Sequence, residues 1–112
     1  MQRRYRLTRS EDFGRMRRDG RGYPHRMMLV SIAPNLLEHN RYGFVVSKKL
    51  GTAVVRNRAK RVFREVARTL HPHLRSGYDI VIVARSGVVG QPYTVILRTV
   101  QQLFEQAGVW EM

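Results

Sequence analysis

The chain has no cysteine and only eight acidic residues among its 112. Without cysteine, neither disulfides nor thiolate metal sites can staple the fold, which fits a reducing cytoplasm. A protein nuclease needs a base, a charge stabiliser and, as a rule, metal-binding carboxylates. The acids are too few and too scattered for that. Glu11-Asp12 is the one adjacent pair, and it reads as the first turn of a helix, where carboxylates suit the dipole. His25, His39, His71 and His73 supply no metal set, and His71-Pro72-His73 reads as helix-end polarity rather than a clip. None of Ser10, Ser31, Ser47, Ser76 and Ser86 lies in a nucleophile-elbow motif, and Gly87-Val88-Val89-Gly90 lacks a dinucleotide or phosphate-loop fingerprint. Long apolar runs are missing as well. Ile80-Val81-Ile82-Val83-Ala84 is far too short to span a bilayer, and MQRRYRLTRSEDF lacks the apolar stretch of a secretory signal. The expectation is a soluble, cytoplasmic, single-domain protein (residues 1–112) with no membrane partner, no catalytic residue and no cofactor held by the polypeptide alone.

What the chain has in excess is positive charge. Twenty-one Lys and Arg oppose the eight acids, a formal net charge of +13. Self-repulsion on that scale disfavours a compact chain, so a polyanionic partner is the natural explanation. Eighteen of the cations are Arg, the residue suited to bidentate phosphate contacts and to stacking on bases. The distribution is uneven. Residues 1–28 carry nine basic and three acidic side chains and residues 41–68 carry nine and one, whereas 69–112 are balanced at three and three. The binding surface therefore belongs to the first two segments, and the last is scaffold.

Thr8 followed by Glu11 reads as a capping box that opens a short helix to about Arg18, ended by Gly20 and Gly22. Residues 21–25 suit a short edge strand. Met27 to Ala33 is apolar on both faces, hence a covered strand, and Pro34 stops it. Tyr42 to Ser47 is the next strand. Across so short a loop, Asn35 to Asn40, the two are expected to pair antiparallel. Thr52 is a plausible N-cap for a helix from about Ala53 to Leu70, a rod of roughly 25 Å. In it Val55, Ala59, Val62, Phe63, Val66, Ala67 and Leu70 form one buried stripe. Pro72 ends it. Tyr78 to Ala84 is a buried strand, Gly87 to Pro92 a loop, and a last helix carries a stripe from Tyr93 to Ala107, closed by Gly108. The order is αβββαβα (αββαβα without the edge strand). The class is α+β, a sandwich of helices packed on a central mixed β-sheet.

One constellation stands apart from ordinary surface charge. In Ser47-Lys48-Lys49-Leu50-Gly51-Thr52-Ala53-Val54-Val55-Arg56-Asn57-Arg58-Ala59-Lys60-Arg61, seven basic or amide side chains surround a loop and a helix start. The lysines and the positive helix end favour phosphate in the same place. Arg64 and Arg68 continue the row. Glu65 is the single acid on this helix, spaced to reach Arg61 at i,i+4, so intrahelical pairing cannot neutralise the face. Asn57 adds a donor and acceptor for a base, a sugar or water. RNA contact is the favoured reading.

These same residues carry a resemblance. The run VSKKLGTAVVRNRAKRVFRE, with Arg56-Asn57-Arg58 at its heart, resembles the signature of the bacterial ribonuclease P protein. RLTRSEDF before the first helix, GYDIVIVAR in the late strand and the apolar last helix agree with it. The resemblance implies a division of labour, in which a large catalytic RNA holds Mg2+ and cleaves the 5′ leader from precursor tRNA. The protein would bind that RNA, one to one. It would also hold the single-stranded leader in a cleft between the first helix and the sheet. Position by position, it implies catalytic-RNA contacts for Lys48, Lys49, Arg56, Asn57, Arg58, Lys60, Arg61, Arg64 and Arg68. It implies leader contacts for Arg9, Phe13, Arg17 and Ser47. Phe13 also suits a plain core role. Arg17 stands where the family often has a second aromatic, which shifts any stacking toward electrostatics and salt sensitivity. The family further implies a left-handed crossover between the strands flanking the long helix, against the general handedness rule. The rival readings are a ribosomal protein or RNA chaperone of related fold, a stand-alone nuclease, and a DNA-binding protein. The last lacks any helix-turn-helix or finger spacing.

Overall fold

The computed structural model describes residues 3–7 and 10–111, so the Thr8 cap and Arg9 lie outside the described residues. In chain order the main elements are α1 (Ser10–Asp19), β1 (Arg21–Pro24), β2 (Met28–Pro34), β3 (Arg41–Val45), α2 (Ala53–Leu70), β4 (Tyr78–Ala84) and α3 (Tyr93–Gln106). The edge strand is therefore present and the order is αβββαβα. Both α2 and β4 have the bounds their apolar patterns predict. β3 ends at Val45, before Val46 and Ser47, and single 3-10 turns occupy Lys48–Leu50, His71–His73 and Ser86–Val88.

The sheet order is β1-β2-β4-β3. β4 pairs antiparallel with β2 and parallel with β3, so the sheet is mixed. This corrects the expected β2–β3 pair. The run Ile80-Val81-Ile82-Val83 is apolar on both faces and takes an interior position, where both sides of the strand are covered. β3 is displaced to the far edge. The loop from Asn35 to Asn40 then crosses the start of β4, a gap of two strand spacings or about 10 Å. Two asparagines fasten it there. The Asn35 backbone N–H donates to the Gly77 carbonyl at 2.9 Å, and Asn40 both accepts from the Tyr78 N–H and donates to the Arg75 carbonyl, each at 2.8 Å. The parallel β3–β4 pair needs a long crossover, and α2 supplies it.

Alternation along the strands sorts the core into two unequal layers. Met28, Val30, Ile32, Tyr42, Ile80 and Ile82 face α2 and α3, where Phe63, Val66, Leu70, Ile96, Val100 and Phe104 complete the main core. Full burial of each large side chain here contributes about 1.5–3 kcal/mol. On the opposite face Ala33 and Val81 meet Leu7, Met16 and part of Phe13, a much smaller patch under α1. The cation-bearing helix α2 is thus seated on the thick layer. Gly51 turns the chain into it at φ +150°, where a Cβ would lie 3.2 Å from Val55, and the Thr52 hydroxyl oxygen accepts from the Val55 N–H at 3.4 Å.

Candidate nucleic-acid interface

Because Phe63, Val66, Ala67 and Leu70 are buried in α2, its opposite face is solvent-exposed, and that face is where the cations lie. Asn57, Lys60, Arg61 and Arg64, with Val54, line one shallow depression. Lys48 and Lys49 stand exposed in the 3-10 turn that leads into the helix, next to its positive end. The sequence leaves Glu65 within reach of Arg61, but the structure pairs it with Arg68. The Arg68 Nε donates to Oε2 at 3.1 Å and a second guanidinium N–H reaches Oε1. That pairing holds the Glu65 carboxyl below its usual range and raises Arg68. One orientation of the carboxylate satisfies both forks of Arg68, a bidentate geometry worth more than a single contact. Arg68 therefore keeps its place on the face but not its free charge. Arg61 and Arg64 form no hydrogen bond or ion pair among the described residues.

The three residues of the Arg-Asn-Arg run part company. Asn57 joins the depression, whereas Arg58 lines an apolar notch beside Val55, Val62, Val88 and Val89 on the α3 side. Arg56 is half-buried, and its Nε is enclosed without a hydrogen-bond partner. An enclosed, unpaired donor is costly.

A second groove adjoins the first. Arg6 and Leu7 run along the edge of β3, with the Leu7 N–H donating to the Tyr42 carbonyl at 2.8 Å. Together with Tyr42, Gly43, Phe44, Lys60 and Arg64 they line a cleft between the N-terminal segment and α2. Lys60 and Arg64 border both grooves. On the other face of the sheet, Phe13 of α1 lies half-buried against Gly43, and Arg17 is exposed one turn further on. Beyond the cover of α1 the floor is apolar. Leu29, Val83 and Val45 stand side by side across three strands, Leu29 and Val83 half-exposed and Val45 exposed. Ser47 is exposed two residues past the end of β3. Phe13 and Arg17 thus share a helix, Ser47 sits at the strand end, and Arg9 lies outside the described residues.

Sequence reasoning missed the residues that hold α1 in place. Asp79 is wholly buried and receives Arg41, Arg15 and Asn35, while Arg41 also reaches Asp12 at 3.4 Å. The available signal was an acid inside an otherwise apolar strand, but its partners come from three distant segments. Among the described residues no group of three or more His, Asp or Glu is placed to hold a metal ion.

The sequence profile described as Ribonuclease P matches residues 1–108. The chain belongs to the ribonuclease P protein family. It is 43% identical over 110 residues to the ribonuclease P protein component of Roseiflexus castenholzii, an alignment covering 97% of this chain and 90% of the relative. The corresponding protein of Herpetosiphon aurantiacus is 40% identical over 110 residues, with 98% and 89% covered. Among solved structures, the Staphylococcus aureus RNase P protein superposes with a TM-score of 0.87 at 31% identity, covering 96% of this chain and 98% of that one. The Thermotoga maritima RNase P protein gives 0.83 at 26%, covering 90% and 96%.

Membership decides between the rival readings. A ribosomal protein or chaperone would share size, charge and layering, but not the match over nearly the whole chain. The protein is the RNA-binding subunit of an endoribonuclease holoenzyme that acts in tRNA 5′ processing.

Proposed function

We propose that the protein divides its work between two surfaces. The α2 face, with Lys48, Lys49, Arg56, Asn57, Arg58, Lys60, Arg61, Arg64 and Arg68, grips the catalytic RNA. The α1 side of the sheet, with Arg9, Phe13, Arg17 and Ser47, takes the single-stranded 5′ leader of precursor tRNA. The observation that carries this is the pairing of Glu65 with Arg68, which leaves Arg61 and Arg64 with no acid partner among the described residues, beside two grooves. Phosphate contacts from such a row give affinity without sequence reading. Phe13, Val45 and Val83 offer apolar surface for bases, and Arg17 a stacking cation, the pairing that a sequence-tolerant strand binder needs.

The chemistry belongs to the RNA in this reading, with Mg2+ bound there, one protein per RNA, in the cytoplasm. The polypeptide supplies binding and orientation. The deciding experiment is precursor-tRNA cleavage at low magnesium with protein alone, catalytic RNA alone, and both. Cleavage only when both are present supports the proposal. Cleavage by the polypeptide alone would mean a nuclease site, and failure to bind or rescue the RNA would return the chaperone reading.

A further inference from the structure

Resting on the assignment of the α1 side of the sheet to the leader, we infer that Asp79 is a positioning residue for that cleft, acting through α1 and Phe13. Asp79 is a carboxylate with no solvent exposure. Such a charge is tolerated only when paired and fully hydrogen-bonded. It is so here. Arg41 grips it with two bonds, Nε to Oδ1 at 2.9 Å and Nη2 to Oδ2 at 2.8 Å, Asn35 Nδ2 donates to Oδ1 at 2.9 Å, and Arg15 donates to Oδ2. Arg15 also donates to the Pro34 carbonyl at 2.9 Å, and Arg41 reaches Asp12 at 3.4 Å. Two anions and two cations close on one another. In a chain of net charge +13, two of eight acids are committed to this spot.

Asp12 and Arg15 are the two members that α1 contributes, three residues apart on one side of the helix. Phe13 lies between them in sequence, and its ring meets the backbone of Gly43. Apolar packing alone holds α1 weakly, since Met16 is its only side chain in the buried core among the described residues. The ion cluster therefore sets the height and angle at which α1 carries Phe13 and Arg17 over the sheet. Among the described residues, Asp79 hydrogen-bonds to none of the proposed leader contacts. The main core under α2 lies on the opposite face and does not include it, so loosening the cluster disturbs one surface and spares the other.

The test uses the reconstituted holoenzyme and two precursor tRNAs, one with a leader of several nucleotides and one with a single-nucleotide leader. Asp79→Asn keeps the side chain's shape and removes its charge. Arg15→Gln keeps the bidentate Arg41–Asp79 pair and serves if Asp79→Asn does not fold. Each is expected to raise KM for the long-leader substrate roughly tenfold, with kcat, catalytic-RNA affinity and the short-leader KM unchanged. Adding Phe13→Ala should bring no further rise, because both changes act through one element. Equal losses on both substrates, weaker RNA assembly, or an unchanged long-leader KM would overturn the inference. Phe13→Ala alone is the separate control. If it shows no dependence on leader length, the leader assignment itself has failed; if it does and the Asp79 and Arg15 variants do not, only the positioning role has.

Discussion

Phe13 rests on Gly43 so closely that a Cβ built on the glycine would lie 2.9 Å from both Cε1 and Cζ of the ring. Gly43 is a β3 residue with its neighbours on both sides buried or half-buried, and it provides the flat spot on which α1 lands. Gly43→Ala must move either the strand or the ring. The ring is the softer partner, because its tip is the atom in conflict, although Leu7 Cβ at 3.3 Å limits where it can go. The expected stability loss is about 1–2 kcal/mol, an overpacking cost shared with ring displacement. Thermal unfolding checks it. The same variant should weaken binding of a long leader more than that of a short one, and an unchanged leader affinity would count against Phe13 as a cleft residue.

Arg61 and Arg68 project from the same helix with the same formal charge, yet only Arg68 is held by Glu65. Arg61→Ala should therefore weaken catalytic-RNA binding and flatten its salt dependence by roughly 0.7–0.9 in the slope of log K against log salt, one phosphate contact's worth. Arg68→Ala should change the slope less, since its guanidinium is already shared with a carboxylate. Titrations of holoenzyme assembly at several salt concentrations give both numbers. Equal slopes for the two variants would show that the ion pair dissolves on RNA binding.

Glu65→Gln removes the only acid of α2 and frees the charge of Arg68. RNA affinity at low salt should rise and become more salt-sensitive, while the fold changes little because the pair lies at the surface and is screened. Filter binding of the catalytic RNA at two salt concentrations reads this directly. A fall in affinity would mean that Glu65 orients Arg68 for its contact and that the pairing is part of the binding geometry.

Much of this molecule is written in local pattern. The apolar stripe of α2 and the unbroken run of β4 set their bounds because each depends on neighbours within a turn or a few residues. The cation row is visible for the same reason. What local pattern could not carry was partner choice across the chain. β2 and β3 are joined by a short loop, and only the doubly apolar character of β4 argues for its insertion between them. Asp79 looks like a polar strand start until Arg15 and Arg41, 64 and 38 residues away, come to meet it. Glu65 has Arg61 and Arg68 at equally plausible spacings, and side-chain geometry alone chooses between them.

His71 ends α2 and anchors the N-terminal segment from below. Its Nδ1 lies 2.7 Å from the Tyr42 hydroxyl, and Tyr5 packs edge-on against both His71 and His39, with centroids 5.1 and 5.5 Å apart. Burial pushes the Tyr42 phenol well above its ordinary pKa, so it stays protonated and can donate to a neutral imidazole. Burial first, and then the nearby His39, push His71 below its ordinary 6.5. The native state therefore holds His71 neutral more strongly than the unfolded chain does. Its contribution to stability is present above about pH 6.5 and is lost as pH falls through the lowered native pKa, where the unfolded state binds the extra proton. Thermal unfolding should show a Tm that drops from about pH 7.5 to pH 5.5, and His71→Gln, which keeps an acceptor for the Tyr42 hydroxyl, should lessen the drop. Because Arg6 and Leu7 are carried on the segment that Tyr5 anchors, the groove they line with Lys60 and Arg64 should loosen in the same window. Amide exchange of the Leu7 N–H, bonded to the Tyr42 carbonyl, reports that loosening, and protection that is equal at both pH values would place the acid sensitivity elsewhere.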